Sequence, residues 1–175
     1  DLDAKKTADK IAEINPLLVN IVVAGANPSA SSTPLMVITG EILRNLKEKA
    51  PKIKIILTGI HPSALPERTL KEEKTDFIGQ GESFYTILEL LKALKENKNI
   101  KNLENLKIKG FWYLNEKNEA VSGGWGEAVK NLDELPFVAW DLLPMEKYRA
   151  HNWHCFGHLK ERSPYAVIYT SFGLK

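Results

Sequence analysis

Four stretches of the sequence carry side chains suited to chemistry. In "IILTGIHPSALPE", residues 55–67, an apolar, β-branched run breaks at Gly59 and leads into Ile60, His61 and Pro62. An imidazole in that place suits a metal ligand, an acid or base, or a turn residue at the rim of a site. In "GQGES", Glu82 follows Gly81; its carboxylate fits either the hydroxyls of a sugar or ribose, or a plain negative charge near a helix start. "AGANPSASST" sets Ser31, Ser32 and Thr33 just before an expected helix, where hydroxyls and free amides make an anion site. Glycine, proline and serine in these stretches also simply make turns. Finally, "HNWHCFGH" spaces His151, His154, Cys155 and His158 by three, one and three residues. On a helix these share a face, and imidazole with thiolate suits zinc or another transition metal. Against that, Gly157 and two aromatic residues weaken a helix, and the spacing matches no standard zinc motif.

The elements that must position these groups follow from periodicity. Ala4, Ala8, Ile11 and Ala12 recur at helical spacing until Asn15 and Pro16 stop the pattern. "LLVNIVVAGA" is a continuous apolar run of strand length, the kind buried on both faces of a parallel sheet. "NPSASSTP" is a turn-rich loop with Thr33 as N-cap and Pro34 at the first position of a helix running to about Lys49. "KIKIILTG" is a second buried strand and "TDFIGQGE" a shorter third. "SFYTILELLKALKEN" is a helix with Phe84, Ile87, Leu88, Leu91 and Leu94 on one face. Strand and helix alternate, so the expected class is α/β: a parallel sheet with helices on both faces and right-handed crossovers.

Beyond residue 100 the pattern changes. "IKGFWYLNEKNEAVSG" is two extended runs around a polar turn, a β-hairpin. "NLDELPFVAWDLLPMEKYR" has no clear period and two prolines, as an ordered linker would, and "SPYAVIYTSFG" is another buried-type strand. Three parallel strands are fewer than a doubly wound domain normally has. We therefore expect a first βαβ unit to be missing, with "LLVNIVVAG" central in the intact protein and an unpaired or poorly covered edge here. The two loops after "IVVA" and "IILT", and "GQGES" after the third strand, all leave carboxyl ends of strands, where open parallel sheets bind ligands.

Composition narrows the class further. An apolar fraction of 43% and a charged fraction of 26% over 175 residues are those of a folded globular chain. A net charge of +2, with lysines scattered, argues against nucleic acid as partner. The longest apolar run is too short to span a bilayer. One cysteine excludes an internal disulfide and fits a reducing compartment, for which cytoplasm is the default.

Taken in order, "NPLLVNIVVAGANPSASSTP", "IKIILTGIHPSALPERTLKEEKTDFIGQGESFYTILELL", "LDELPFVAWDLLPMEKYR" and "SPYAVIYTSFG" resemble the cobalamin-binding, N-terminal part of radical S-adenosylmethionine enzymes over nearly the whole chain. The resemblance implies a Rossmann-like cobalamin domain (1–100), a hairpin and linker (101–162) and the first strand of a truncated catalytic barrel (163–175). It implies corrin contacts from Gly25, Ala26, Asn27, Ser29, Ser31 and Ser32 in the first loop. The second loop would add Thr58, Gly59, Ile60, His61 and Pro62, and the third Gly81 and Glu82. His61 is expected to touch the corrin edge or its amide side chains and not to serve as the lower cobalt ligand, because its loop follows the wrong strand for that.

The sequence also departs from that family. Thr58 stands where many cobalamin domains have glycine, and the lower-ligand motif DxHxxG is absent. The CxxxCxxC triad that holds an iron–sulfur cluster and cleaves S-adenosylmethionine is absent too. The chain is thus expected to be inactive alone, with cluster, S-adenosylmethionine and barrel in the parent protein, which would move methyl groups or do related radical chemistry. Two alternatives stay open: a receiver-like or nucleotide-binding α/β domain, which needs an acidic pocket after its first strand, and a metal-binding protein using the His151–His158 cluster.

Overall fold

The computed structural model describes residues 3–23, 35–96, 106–150 and 161–166. The chain divides into two compact units, Asp1–Ala128 and Val129–Lys175. In the first, helix α1 spans Ala4–Ile14, α2 Leu35–Lys49, α3 Ile60–Ala64, α4 Pro66–Glu72 and α5 Phe84–Lys95. Strands β1 (Leu18–Val23), β2 (Lys54–Gly59) and β3 (Phe77–Gly79) run parallel. Strands β4 (Phe111–Leu114) and β5 (Ala120–Ser122) are the expected hairpin.

The hairpin joins the parallel strands in one sheet. β4 pairs antiparallel with β3, so one five-stranded sheet runs β1-β2-β3-β4-β5. The sheet is mixed for a local reason: β3 is short and buried throughout, and Phe77 and Gly79 pair across to Tyr113 and Phe111. Ring centroids of Phe77 and Phe111 lie 5.1 Å apart, and those of Phe111 and Tyr113 5.6 Å apart. The first pair lies diagonally across β3 and β4 and the second along β4, and aromatic contacts of this kind add to area burial.

Local signals explain the helix ends. Asp3 caps α1, its carboxylate accepting from the Lys6 amide at 2.7 Å. Asn15 ends it in the left-handed region at φ 49°, a conformation asparagine tolerates. The proposed cap at Thr33 and Pro34 lies outside the described residues.

Side chains alternate across β2. Ile55 and Leu57 face one way and join Ala8 of α1, Leu43 and Leu46 of α2, and Leu70 of α4. Ile56 faces the other way and joins Phe77, Phe111 and Leu90 of α5. Each fully buried leucine or isoleucine contributes about 2 kcal/mol of transfer free energy, so β2 anchors both layers.

β1 keeps one part of its sequence expectation, an unpaired edge, and departs from the other, burial on both faces. Of its residues only Val23 is buried, and Val22 is 63% exposed. Among the described residues β1 pairs only with β2, so it stands at the edge of the sheet. An edge strand covered on one face cannot be buried on both. The expectation for α5 also needs correction: the helix buries Thr86, Leu90, Ala93 and Leu94, while Phe84 and Leu88 are exposed.

At the amino ends of the strands, Asp76 gathers three donors. Lys47 Nζ lies 2.6 Å from its carboxylate, Lys54 Nζ 3.0 Å, and the Ile55 amide donates at 2.9 Å. Lys47 also donates to the Ile53 carbonyl at 2.8 Å. Asp76→Ala leaves these partly buried donors without their acceptor and is expected to cost about 2 kcal/mol. Asp76→Asn, which keeps an acceptor oxygen, should cost less; urea unfolding of the two variants measures both. Among the described residues of the second unit there are three short 3-10 turns, Leu132–Glu134, Trp140–Leu142 and Met145–Lys147, and no strand.

Candidate functional site

The parallel strands bring the carboxyl ends of β1, β2 and β3 to one edge of the sheet. Gly25, Ala26, Asn27, Ser29, Ser31 and Ser32, in the loop after β1, lie outside the described residues. The other two loops are described, and the chain holds them against each other.

Gly59 ends β2 at φ 106°, where a Cβ would come within 2.3 Å of the Val23 carbonyl oxygen. Only glycine permits this backbone and this approach, and it brings the ends of β1 and β2 together. Thr58 is buried, and its hydroxyl donates to Asn20 Oδ1 on β1 at 3.0 Å. Thr58 is thus engaged between strands. After Gly59 the chain turns directly into α3 and α4, where the sequence had suggested a loop. Pro62 lies within the first turn of α3, where amides have no intrahelical acceptor, and Pro66 opens α4.

In α3 the side chains divide by role. Pro62 is fully buried, Ile60 is 59% exposed, and His61 is exposed. Ser63 reaches across to the third loop: its carbonyl accepts from Gln80 Nε2 at 3.0 Å, and its Oγ accepts from the Gly81 amide at 3.1 Å. Gly81 sits at φ 81° with no atom within 4 Å of where a Cβ would be, so its backbone faces open space. Glu82 is half-buried, and Ser83 donates its hydroxyl to the Gly81 carbonyl at 3.2 Å. Ser63, Gln80 and Trp112, whose indole donates to Gln80 Oε1 at 2.9 Å, were not marked by the sequence. A glutamine between two glycines was the one available signal.

Glu73, at the end of α4, has its carboxyl raised above the ordinary value of 4.5, chiefly by burial. Arg44 opposes the shift, Glu72 adds to it, and His61 opposes it weakly. A carboxyl that binds its proton more tightly when folded lends stability at low pH and loses it as pH rises through its folded value. Stability from this group should therefore fall as pH rises above 4.5. Glu73→Gln should flatten that slope and be the more stable protein near neutrality, as urea midpoints across the range would record.

Among the described residues no group of three or more His, Cys, Asp or Glu could hold a metal ion. His151, His154, Cys155 and His158 lie outside the described residues. No helix among the described residues is long and apolar enough to cross a membrane.

Fold and edge together define an open α/β domain, parallel through β3, whose carboxyl ends carry exposed backbone at glycine. No protein-family model matches the chain. It is 28% identical over 174 residues, 99% of its length, to an uncharacterized methyltransferase of Pyrococcus horikoshii, of which it spans 33%. Its fold is similar to OxsB, a cobalamin-dependent S-adenosylmethionine radical enzyme solved with aqua-cobalamin and S-adenosylmethionine bound. That likeness has a TM-score of 0.59 and 19% identity, over 79% of this chain and 18% of that one. It is also similar to TsrM, a radical S-adenosylmethionine methyltransferase from Kitasatospora setae, at TM-score 0.54 and 18% identity, over 68% of this chain and 21% of that one. The chain thus spans a third or less of the proteins it matches.

Proposed function

We propose that this chain is the cobalamin-binding module of a cobalamin-dependent radical S-adenosylmethionine methyltransferase, with the corrin over the carboxyl ends of β1, β2 and β3. The observation that carries this is Gly81, a left-handed glycine facing open space and hydrogen-bonded to the His61-bearing turn. A flat macrocycle needs such backbone, because a side chain there would hold it off. The ordered motifs of the sequence and the fold shared with OxsB support the same assignment.

In this reading Gly81 permits close approach, Ile60 offers an apolar contact, and His61 meets the corrin edge or its amide side chains. Glu82 and the loop carrying Gly25 to Ser32 complete the rim. Bound there, the corrinoid supplies a cobalt centre able to carry a methyl group. The iron–sulfur cluster and S-adenosylmethionine belong to a barrel elsewhere in a cytoplasmic parent protein; the strand expected over 163–175 lies outside the described residues from 167 on, and 163–166 form no strand.

His61→Ala tests the rim. It removes an exposed side chain and should leave the sheet intact while raising the dissociation constant for hydroxocobalamin roughly threefold to tenfold. Equilibrium dialysis of the full-length protein measures it, and an unchanged constant returns His61 to a turn residue.

A further inference from the structure

Gln80 is a buried polar side chain, 8% exposed, and both ends of its amide are in use. Nε2 donates to the Ser63 carbonyl at 3.0 Å, and Oε1 accepts from Trp112 Nε1 at 2.9 Å. Its backbone amide donates to the Gly110 carbonyl at 2.7 Å. One residue thereby ties together α3 behind β2, the glycine turn behind β3, and the hairpin strand β4. Ser63 completes the tie through its hydroxyl, which accepts from the Gly81 amide at 3.1 Å.

The chemistry of the tie is specific to an amide. It donates at one end and accepts at the other, whereas a carboxylate only accepts and an aliphatic side chain does neither. Buried networks of this kind fix one geometry, and a partly satisfied one loses it. We propose that Gln80 is a positioning residue for the ligand edge: with Ser63 it holds the His61 turn and Gly81 in a single relative placement. The inference rests on the corrinoid assignment above, since the ligand whose fit it sets is the corrin.

The test combines hydroxocobalamin titration with amide hydrogen exchange on the full-length protein and its Gln80→Leu, Gln80→Glu and Ser63→Ala variants. Gln80→Leu and Ser63→Ala should speed exchange across residues 60–64 and 80–83 while β2 stays protected. Hydroxocobalamin affinity should fall roughly tenfold, the factor expected when one buried hydrogen bond is lost. Gln80→Glu should behave like Gln80→Leu at about pH 8 and recover toward wild type at about pH 5, where a buried protonated carboxyl again donates to Ser63. Unchanged exchange, unchanged affinity, or no recovery of Gln80→Glu at low pH overturns the proposal. Ser63→Ala removes a single hydroxyl and decides the matter where a Gln80 variant fails to fold. A wild-type protein that does not respond to hydroxocobalamin overturns the corrinoid assignment and this inference with it; a responding wild type with unaltered variants overturns this inference alone.

Discussion

Gly59→Ala is expected to destabilise the protein by about 3 kcal/mol or more, through left-handed strain and a backbone clash acting together. The φ of 106° disfavours any side chain, and the added carbon would lie 2.3 Å from the Val23 carbonyl oxygen and 2.8 Å from its carbon. Neither atom belongs to a flexible side chain that could swing away. Relief therefore requires β1 to move from β2 at the end where Val23 pairs with Gly59. The thermal midpoint should drop by roughly 10 °C for a domain of this size. A loss under about 1 kcal/mol would mean that the two strand ends do not approach as described.

Gly81→Asn is expected to do the opposite: to spare the fold and abolish most ligand binding. Asparagine tolerates the left-handed region better than other side chains, and no atom lies within 4 Å of the position its Cβ would take. The fold should lose on the order of 1 kcal/mol or less. The amide side chain, however, would stand in the space assigned to the corrin. Hydroxocobalamin affinity should fall on the order of 100-fold, the equivalent of a modest steric clash. Comparing the two glycines separates their roles, since unfolding midpoints should move for Gly59 and binding constants for Gly81. Undiminished binding by Gly81→Asn would show that the ligand does not lie over this turn.

Much of this architecture was legible in the residues. The helical spacing of Ala4, Ala8, Ile11 and Ala12, ended by Asn15 and Pro16, locates α1 as observed. The apolar runs before Gly59 and Gly79 locate β2 and β3, and the polar turn between "FWYL" and "AVS" locates the hairpin. What escaped depended on tertiary context. Pro62 and Pro66 look like loop residues because proline breaks helix interiors, yet each sits in a first turn where its missing amide costs nothing. α5 carries apolar residues around most of its circumference, so periodicity could not choose its buried face. The Thr86 hydroxyl, donating to the Lys109 carbonyl at 2.7 Å, helps turn that helix so that Leu90 and Leu94 face the sheet.

The candidate site was legible as a place and less so as a mechanism of support. Open-sheet topology and the glycines directed attention to the edge carrying His61, Gly81 and Glu82. Of the residues named there, Thr58 and Pro62 are buried in the frame and face the rim less than their neighbours do. The side chains that join the two loops, Ser63 and Gln80, have no distinguishing spacing. Their roles come from a carbonyl and an amide meeting across chain positions far apart in sequence, which periodicity cannot register.

The central claim is that this edge holds a corrinoid, and a visible-absorbance titration of the purified full-length protein with hydroxocobalamin tests it most directly. The account predicts a saturating spectral shift at a single equivalent of corrinoid, present in wild type and strongly weakened in Gly81→Asn. A wild-type protein that gives no shift and co-purifies with no corrinoid would contradict it.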